Sequence, residues 1–337
     1  MKDRIKWIDT ARGLGLLFVV IGHVVTTPIR RDYSWAMAVY NCMYYFHMPY
    51  LLFISGVSFG ISYDRYLNKK VGEYLRDKAK RLLIPYVIYS GVIYLCFCAA
   101  HLIPKISKIL TSSGYARITP LEWVVELVKG NNQYCIHLWY IYFLFLISAV
   151  SFLLIKLIGK KFSIVLLSLS IIGYVFLKPT LDWHILQAVS KLSLWFSIGI
   201  ILMPLVISLE KASFIVRIII VLISPILLSV KNKGLSFGST IANQLFNILC
   251  IASIIFALVV ISQFLGTKKE QFLYWLGKNS FCIYLFHQPL FASGFGMILY
   301  GLLGLPIWLC LMVSFISCFV FPILIQKCLR MVHINLL

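Results

Sequence analysis

The sequence predicts an all-α, polytopic membrane helix bundle with about ten transmembrane helices and both termini in the cytoplasm. Three observations lead to this prediction: 61% of the residues are hydrophobic, only 12% are charged, and mean hydropathy is +0.92. Because soluble domains are roughly half apolar, water cannot be the main solvent of this chain. Residues 1–337 are expected to form a single integral membrane domain.

Ten stretches of the chain can supply the spans, since a spanning helix needs about 20 mostly apolar residues. Their approximate ranges are 5–27, 39–61, 82–103, 138–158, 162–177, 188–208, 213–230, 241–265, 280–299 and 304–326. The fifth stretch is short and ends at Lys178-Pro179, so it is the span expected to be tilted, re-entrant or miscounted. Nine or eleven spans also fit the sequence.

The distribution of Lys and Arg predicts the orientation, because positively charged loops stay in the cytoplasm. With the amino terminus inside, 21 of the 31 Lys and Arg residues fall on the cytoplasmic side and 10 on the outer side. We therefore expect a multi-pass protein of a cell (inner) membrane, in contact with membrane lipids. The net charge of +20 does not indicate nucleic-acid binding, since the cations alternate between the two faces.

One cytoplasmic segment is more basic than orientation alone requires. It contains Arg65, Lys69, Lys70, Arg76, Lys78, Lys80 and Arg81. Such cations suit phosphate groups, so this segment, which we call the basic segment (residues 65–81), could bind a polyanionic ligand. Marking the topology is an equally apt role.

Two further features bear on the architecture. In the outer segment 104–137, residues 121–125 are predicted to form a short interfacial helix that roofs an outer cavity. The nine cysteines lack paired metal-type spacing, so neither a disulfide framework nor a zinc site is indicated.

The first predicted helix carries three ionisable residues, which are costly at membrane depth. Asp9 and Arg12 are one turn apart and can pair, and His23 lies eleven residues beyond Arg12 on the same face, about 16 Å along the axis. Gly13, Gly15 and Gly22 leave room on this helix for a neighbouring helix or a ligand. The alternative is that the Asp9–Arg12 pair anchors the helix and that His23 is a satisfied polar contact.

Other helices offer further polar candidates. Pro49 should kink the second helix and give His47 or Ser55 a polar niche. Trp139 fits an aromatic belt at the membrane interface better than a ligand contact, and His287 is another intramembrane base. When each of these residues is considered alone, structural polarity or an interfacial position explains it better than a functional role.

Taken in order, these fragments resemble the membrane acyltransferase-3 family, most closely the stand-alone branch that includes fucose 4-O-acetylase-like proteins. The resemblance spans nearly the whole chain and depends on the order of weak fragments. The fragments are residues 4–13, Gly22-His23, 46–49, Ser55-Gly56, 78–81, Pro85-Tyr86, Leu138-Trp139 and 280–289.

The resemblance implies an O-acyltransferase that moves an acyl group, usually acetyl, from cytoplasmic acyl-CoA to a hydroxyl of an exported or lipid-linked glycan. Acetyl-CoA, or another acyl-CoA, is then a co-substrate, with no permanently bound cofactor and no metal. The family's arginine-then-histidine motif falls on Arg12 and His23, and its paired basic motif falls on Lys78 and Arg81, with Lys where Arg is usual. The oligomeric state stays open, a homo-oligomer included.

The resemblance also implies roles for individual residues. His23 is expected to act as a general base or to be acylated first, with Arg12 and Asp9 organising the helix below it. The expected acyl-CoA site is Lys78, Arg81, Arg76 and Lys80, and the expected acceptor contacts are His47, Ser55, Trp139 and His287.

Two other classes of protein compete with this interpretation. A transporter of glycans or small solutes would also carry intramembrane His and Arg residues. A polysaccharide polymerase should present long outer loops rich in Arg, whereas the outer segments here hold only 10 scattered cations. The absence of a visible internal repeat weighs weakly against a repeat-built transporter.

Overall fold

The computed structural model describes residues 5–176, 183–234, 237–266 and 272–331, and all regular structure in these ranges is helical. The prediction of an all-α membrane helix bundle is confirmed. The chain forms two compact units: unit 1 is Met1–Ser62 with Trp195–Ser280, and unit 2 is Tyr63–Leu194 with Phe281–Leu337.

The α-helices are numbered in chain order. They are α1 Lys6–Val24, α2 Thr27–Asp32, α3 Ser34–Ile61, α4 Tyr63–Leu67, α5 Val71–Lys78, α6 Ile84–Ala100, α7 Pro104–Ser112, α8 Pro120–Lys129, α9 Trp139–Ile158, α10 Phe162–Phe176, α11 His184–Ile201, α12 Met203–Ser208, α13 Phe214–Asn232, α14 Thr240–Gly266, α15 Phe272–Lys278, α16 Ser280–Phe286 and α17 Ile307–Met331. Short 3₁₀ segments cover Ile136–Leu138, Gly159–Lys161 and Leu209–Lys211, and π-helical segments cover Ala79–Leu83, His287–Gly294 and Met297–Leu302.

Eight helices in the described ranges are long and apolar enough to cross a membrane, against the ten predicted. Part of the difference lies at Gly159–Lys161, where α9 and α10 adjoin so closely that Ile136–Phe176 counts as one candidate span. The other part is α3, which has 28 residues but is not among the eight. The predicted stop at Lys178-Pro179, like Arg4 of the family-like fragment, lies outside the described residues.

In unit 1 the opening helix α1 is the buried centre, and it packs against α3, α14 and α15. The backbones of α1 and α15 are in direct contact where the two helices cross. A Cβ atom added to Gly277 would collide with the Asp9 carbonyl, and one added to Gly13 would collide with the Leu273 carbonyl. A Cβ on Gly15 would press against the Leu51 side chain. The glycines of α1 therefore admit neighbouring helices.

In unit 2 a nearly continuous helix runs over Val71–Ala100, 30 residues or about 45 Å, through α5, the π-helical segment and α6. It lies beside α9: the rings of Tyr74 and Phe152 stack at 3.8 Å, and those of Tyr86 and Tyr142 stack at 5.6 Å. These contacts pack α5 and the start of α6 against the apolar helix α9.

The predicted helix over residues 121–125 exists as α8, which begins at a Thr119–Glu122 capping box and ends at Gly130 with φ 70°. It lies lengthwise against α6, since Trp123 Nε1 donates to Ser90 Oγ at 3.1 Å and the Tyr86 hydroxyl donates to the Leu127 carbonyl at 2.8 Å. Its opposite face exposes apolar side chains. They are Leu121, Val124, Val125 and Val128.

Candidate active site

At one end of α1, Arg12 joins two helices through its guanidinium group. Its Nη1 lies 3.1 Å from Asp9 Oδ1, and its Nη2 donates to Ser58 Oγ of α3 at 2.9 Å. Asp9 is 1% exposed, so the pair is largely withdrawn from solvent on the carboxylate side. The predicted pairing of Asp9 and Arg12 is confirmed. Ser58 was not predicted, although serines recur at helical spacing along this part of α3.

Near the other end of α1, the partly exposed imidazole of His23 meets Tyr44 of α3. Its Nδ1 lies 3.1 Å from the Tyr44 hydroxyl, and the two rings make an edge-to-face contact at 5.7 Å. Tyr44 stacks in turn on Tyr40 at 4.0 Å, and the guanidinium of Arg30 lies 3.9 Å from the centre of the Tyr40 ring. Sequence reasoning missed Tyr44, because nothing in the local pattern distinguishes it from neighbouring tyrosines.

His47 is buried one turn further along α3 and contacts the same tyrosine. Its ring meets Tyr44 edge to face at 4.8 Å, and its Nδ1 is 2.5 Å from the Met43 carbonyl. A carbonyl oxygen only accepts hydrogen bonds, so Nδ1 of His47 carries a hydrogen. The ring of Tyr44 thus contacts two imidazoles, His23 from α1 and His47 from α3.

Ser55 has a local role in the described structure. Its hydroxyl donates to the carbonyl of Leu51 at 2.8 Å. His47 makes the same kind of bond, from its ring to the carbonyl of Met43 four residues earlier. Both side chains therefore form hydrogen bonds with backbone carbonyls of α3, the helix that contains Pro49. Neither carbonyl is the one that Pro49 leaves without an N–H partner, which is that of Tyr45, so the predicted polar niche around the proline stays a prediction.

In unit 2 the basic segment carries acidic residues that partly neutralise it. Lys69 Nζ lies 2.6 Å from Asp77 and 3.5 Å from Glu73, and the bond to Asp77 raises the pKa of Lys69. Arg76, Lys80 and Arg81 are exposed. The predicted phosphate site takes account of the cations alone. The phosphate-binding capacity of this segment therefore falls mainly on its cations other than Lys69.

The position of these cations beside α9 matters for their chemistry. Lys78 Nζ lies 5.7 Å from the centre of the Tyr74 ring, and the Tyr74 hydroxyl donates to the Ser148 carbonyl of α9 at 3.3 Å. Arg76, Lys80 and Arg81 lie near Lys78 in the chain and are exposed, so they are accessible to a polyanion.

His287 lies in unit 2 at a break in a membrane helix. Gln288 has the extended angles φ −120° and ψ 154°, and the side chains around it bond the nearby carbonyls. His287 Nδ1 lies 2.8 Å from the Tyr284 carbonyl, and the Tyr89 hydroxyl donates to the Gln288 carbonyl at 2.6 Å. These bonds satisfy backbone groups that a broken helix leaves in an apolar environment, a structural role for His287.

His137, to which the sequence assigned no role, is the neighbour of His287. Their rings lie 5.2 Å apart, and His137 Nε2 lies 3.4 Å from the Leu285 carbonyl. In the sequence, the position of His287 directly before Gln288-Pro289 indicates a polar site. No local pattern indicates that His137 is its neighbour. Trp139, two residues after His137, packs edge to face on His184 at 5.3 Å.

The predicted site residues divide between the two units. Unit 1 holds Asp9, Arg12, His23, His47 and Ser55, and unit 2 holds Lys78, Arg81, Arg76, Lys80, Trp139 and His287. Within unit 1 the structure forms two groups, Asp9–Arg12–Ser58 and His23–Tyr44–His47. A continuous helix α1 connects them.

Comparisons with known proteins agree with this architecture. The family described as an acyltransferase domain matches residues 5–325. Nodulation protein NolL of Mesorhizobium japonicum (strain LMG 29417 / CECT 9101 / MAFF 303099) is 28% identical over 178 residues, which is 52% of this chain and 42% of NolL. The match thus spans less than half the length of that relative. No solved structure matches the chain. Because the family match covers most of its length, the chain belongs to the acyltransferase-3 family.

Proposed function

We propose that this protein is an O-acyltransferase of a cell inner membrane that passes an acyl group, in the first instance acetyl, from cytoplasmic acyl-CoA to a hydroxyl of an exported or lipid-linked glycan. The observation that carries the proposal is the partly exposed imidazole of His23, held by Tyr44 on the same helix as the Arg12–Asp9 pair, in a chain of the acyltransferase-3 family.

The donor would bind through its phosphates to the basic segment. Arg76, Lys80 and Arg81 are exposed, and Lys78 lies beside the Tyr74 ring. Guanidinium groups bind phosphate oxygens through two parallel hydrogen bonds, whereas an ammonium acts as a point charge. Arg81 should therefore contribute more to donor affinity than Lys78.

The chemistry would centre on His23. Its neutral imidazole takes the proton of the acceptor hydroxyl while the oxygen attacks the thioester carbonyl, a role that contributes about 10² to 10⁴ in rate. The new C–O bond forms as the C–S bond breaks, and the departing CoA thiolate takes the proton from the imidazolium. In the alternative order, His23 is acylated first and the sugar hydroxyl discharges it.

The test uses purified protein and [1-¹⁴C]acetyl-CoA, with release of labelled acetate to water and transfer to isolated membrane glycans as readouts. His23→Ala should lower both by at least about 100-fold while folding and membrane insertion remain normal. The matched control is His101→Gln, since His101 bonds Ser107 and Tyr115 within unit 2 and should tolerate an amide. Normal activity of His23→Ala would remove the basis of the proposal.

Transport of a glycan or small solute is the second candidate, and the helix break at Gln288 favours it, because broken membrane helices often form transport sites. The discriminating measurement is acyl-CoA binding. Folded protein that binds neither acetyl-CoA nor a longer acyl-CoA would support transport. Mass spectrometry of surface glycans, with and without the protein, would then identify or exclude an acylated acceptor.

A further inference from the structure

We infer that Tyr44 is a positioning residue that orients the imidazole of His23 through Nδ1, so that Nε2 is the nitrogen that takes the proton of the acceptor. The inference rests on the proposed function, in which His23 is the general base. It adds to that function a second side chain, contributed by α3, that never touches the reacting atoms. The geometric basis is the 3.1 Å contact between the Tyr44 hydroxyl and Nδ1 of His23.

Several contacts fix the ring of Tyr44. It stacks on Tyr40 at 4.0 Å and meets the edge of His47 at 4.8 Å. Gly22, the residue before His23, leaves the space for it, since a Cβ there would lie 3.2 Å from Tyr44 Cε2 and 3.3 Å from Met43 Cβ. The hydroxyl of Tyr44 is therefore held beside α1 by packing that does not depend on its own hydrogen bond.

The direction of this hydrogen bond decides what His23 can do. A neutral imidazole has one N–H group and one lone pair. If the tyrosine donates to Nδ1, the hydrogen lies on Nε2, which then cannot take a proton. If Nδ1–H donates to the tyrosine oxygen, Nε2 carries the lone pair and can act as the base. General-base catalysis at Nε2 requires the second arrangement.

Tyrosine suits this role inside a membrane protein. When Nε2 takes the proton of the acceptor hydroxyl, the imidazolium keeps its Nδ1–H bond to the tyrosine oxygen, and the proton later passes to the CoA thiolate. A carboxylate in the same place would hold the ring as well, but it would add a charged group at membrane depth, which is costly. A hydroxyl orients the ring without that charge.

Among the described residues, titratable and charged groups of α2 and α3 adjoin Tyr44. Tyr40 and His47 come from α3, and Arg30 from α2 lies over Tyr40. Helix α14, which also packs on α1, contains no Asp, Glu, Lys, Arg or His between Thr240 and Gly266, and α15 crosses α1 at the Asp9 end.

The experiment compares Tyr44→Phe with Tyr45→Phe. Both remove one hydroxyl from adjacent residues of α3, but the Tyr45 hydroxyl bonds Asn247 at 2.8 Å. We expect Tyr44→Phe to lower the acyl-transfer rate about tenfold with an unchanged KM for acetyl-CoA, and Tyr45→Phe to leave the rate unchanged. We also expect the acid limb of the pH–rate profile to move to lower pH in Tyr44→Phe, because the lost hydrogen bond favoured the imidazolium.

The outcomes separate this inference from the proposed function. If His23→Ala is inactive while Tyr44→Phe keeps the wild-type rate and pH profile, Tyr44 has no positioning role and the proposed function stands. If His23→Ala is active, the proposed function fails and the inference fails with it. Should Tyr44→Phe not fold, Gly22→Ala displaces the ring by the contact at 3.2 Å and should shift the acid limb in the same direction; an unchanged profile there would overturn the inference.

Discussion

Arg12 and Ser58, 46 residues apart in the chain, are joined by a hydrogen bond of 2.9 Å between Nη2 and Oγ. The same guanidinium bonds Asp9 through its other terminal nitrogen. One side chain therefore links a buried carboxylate of α1 to a hydroxyl of α3. A single ammonium has no planar fork with which to reproduce this geometry.

Arg12→Lys should keep the charge and lose the bridge, and we expect it to lower the free energy of unfolding by about 1 kcal/mol. Thermal unfolding in detergent, followed by tryptophan fluorescence, measures the loss. The control is a double-mutant cycle with Ser58→Ala. The double variant should lose less unfolding free energy than the two single variants lose when their losses are added. Strict additivity would show that the two side chains are not coupled.

Gly277→Ala should prevent stable folding, because its methyl group would occupy the position of the Asp9 carbonyl. Gly72→Ala is the matched control, since a methyl group added to Gly72 in α5 would meet no atom within 4 Å. That substitution should be neutral or stabilising by up to about 1 kcal/mol. The yield of monodisperse protein on size-exclusion chromatography distinguishes the two. A well-folded Gly277→Ala variant would contradict the close crossing of α1 and α15.

Arg81→Ala should raise the KM for acetyl-CoA about tenfold and change kcat little, because in the proposed function it removes a charge-assisted contact to a donor phosphate and leaves the reacting groups in place. The control varies the substrate. With acetyl-dephospho-CoA, which lacks the 3′-phosphate, the effect of the substitution should shrink if Arg81 binds that group. Equal KM values for Arg81→Ala and wild type at low salt would exclude Arg81 from donor binding.

The exposed face of α8 should lie in the hydrocarbon region, because α8 packs lengthwise on the membrane helix α6. The test starts from protein whose exposed Cys42, Cys96 and Cys328 are replaced by Ser, and single cysteines are then introduced. A membrane-impermeant maleimide should react at least about tenfold more slowly with Leu121→Cys or Val125→Cys than with Ser113→Cys in the preceding loop. Equal labelling rates in intact membranes would place α8 in water.

The sequence predicted those features that depend on local pattern. Long apolar stretches predicted the helices, and the one-turn spacing of Asp9 and Arg12 predicted their pairing. The partners of His23 and His287 were not predictable in this way, because Tyr44 and His137 come from distant parts of the chain and are fixed by tertiary packing. The glycines of α1 are a second example. Their spacing predicted that another helix or a ligand comes close to α1, but it did not identify that neighbour as α15.

The backbone crossing of Gly13 and Gly277 also has a mechanical consequence. No side chain lies between α1 and α15 at this point, so nothing there can yield by changing rotamer. Any displacement of the helix that bears His23 must carry the seven residues of α15 with it. Helix α15 and the helix that bears His23 should therefore move together as one rigid pair.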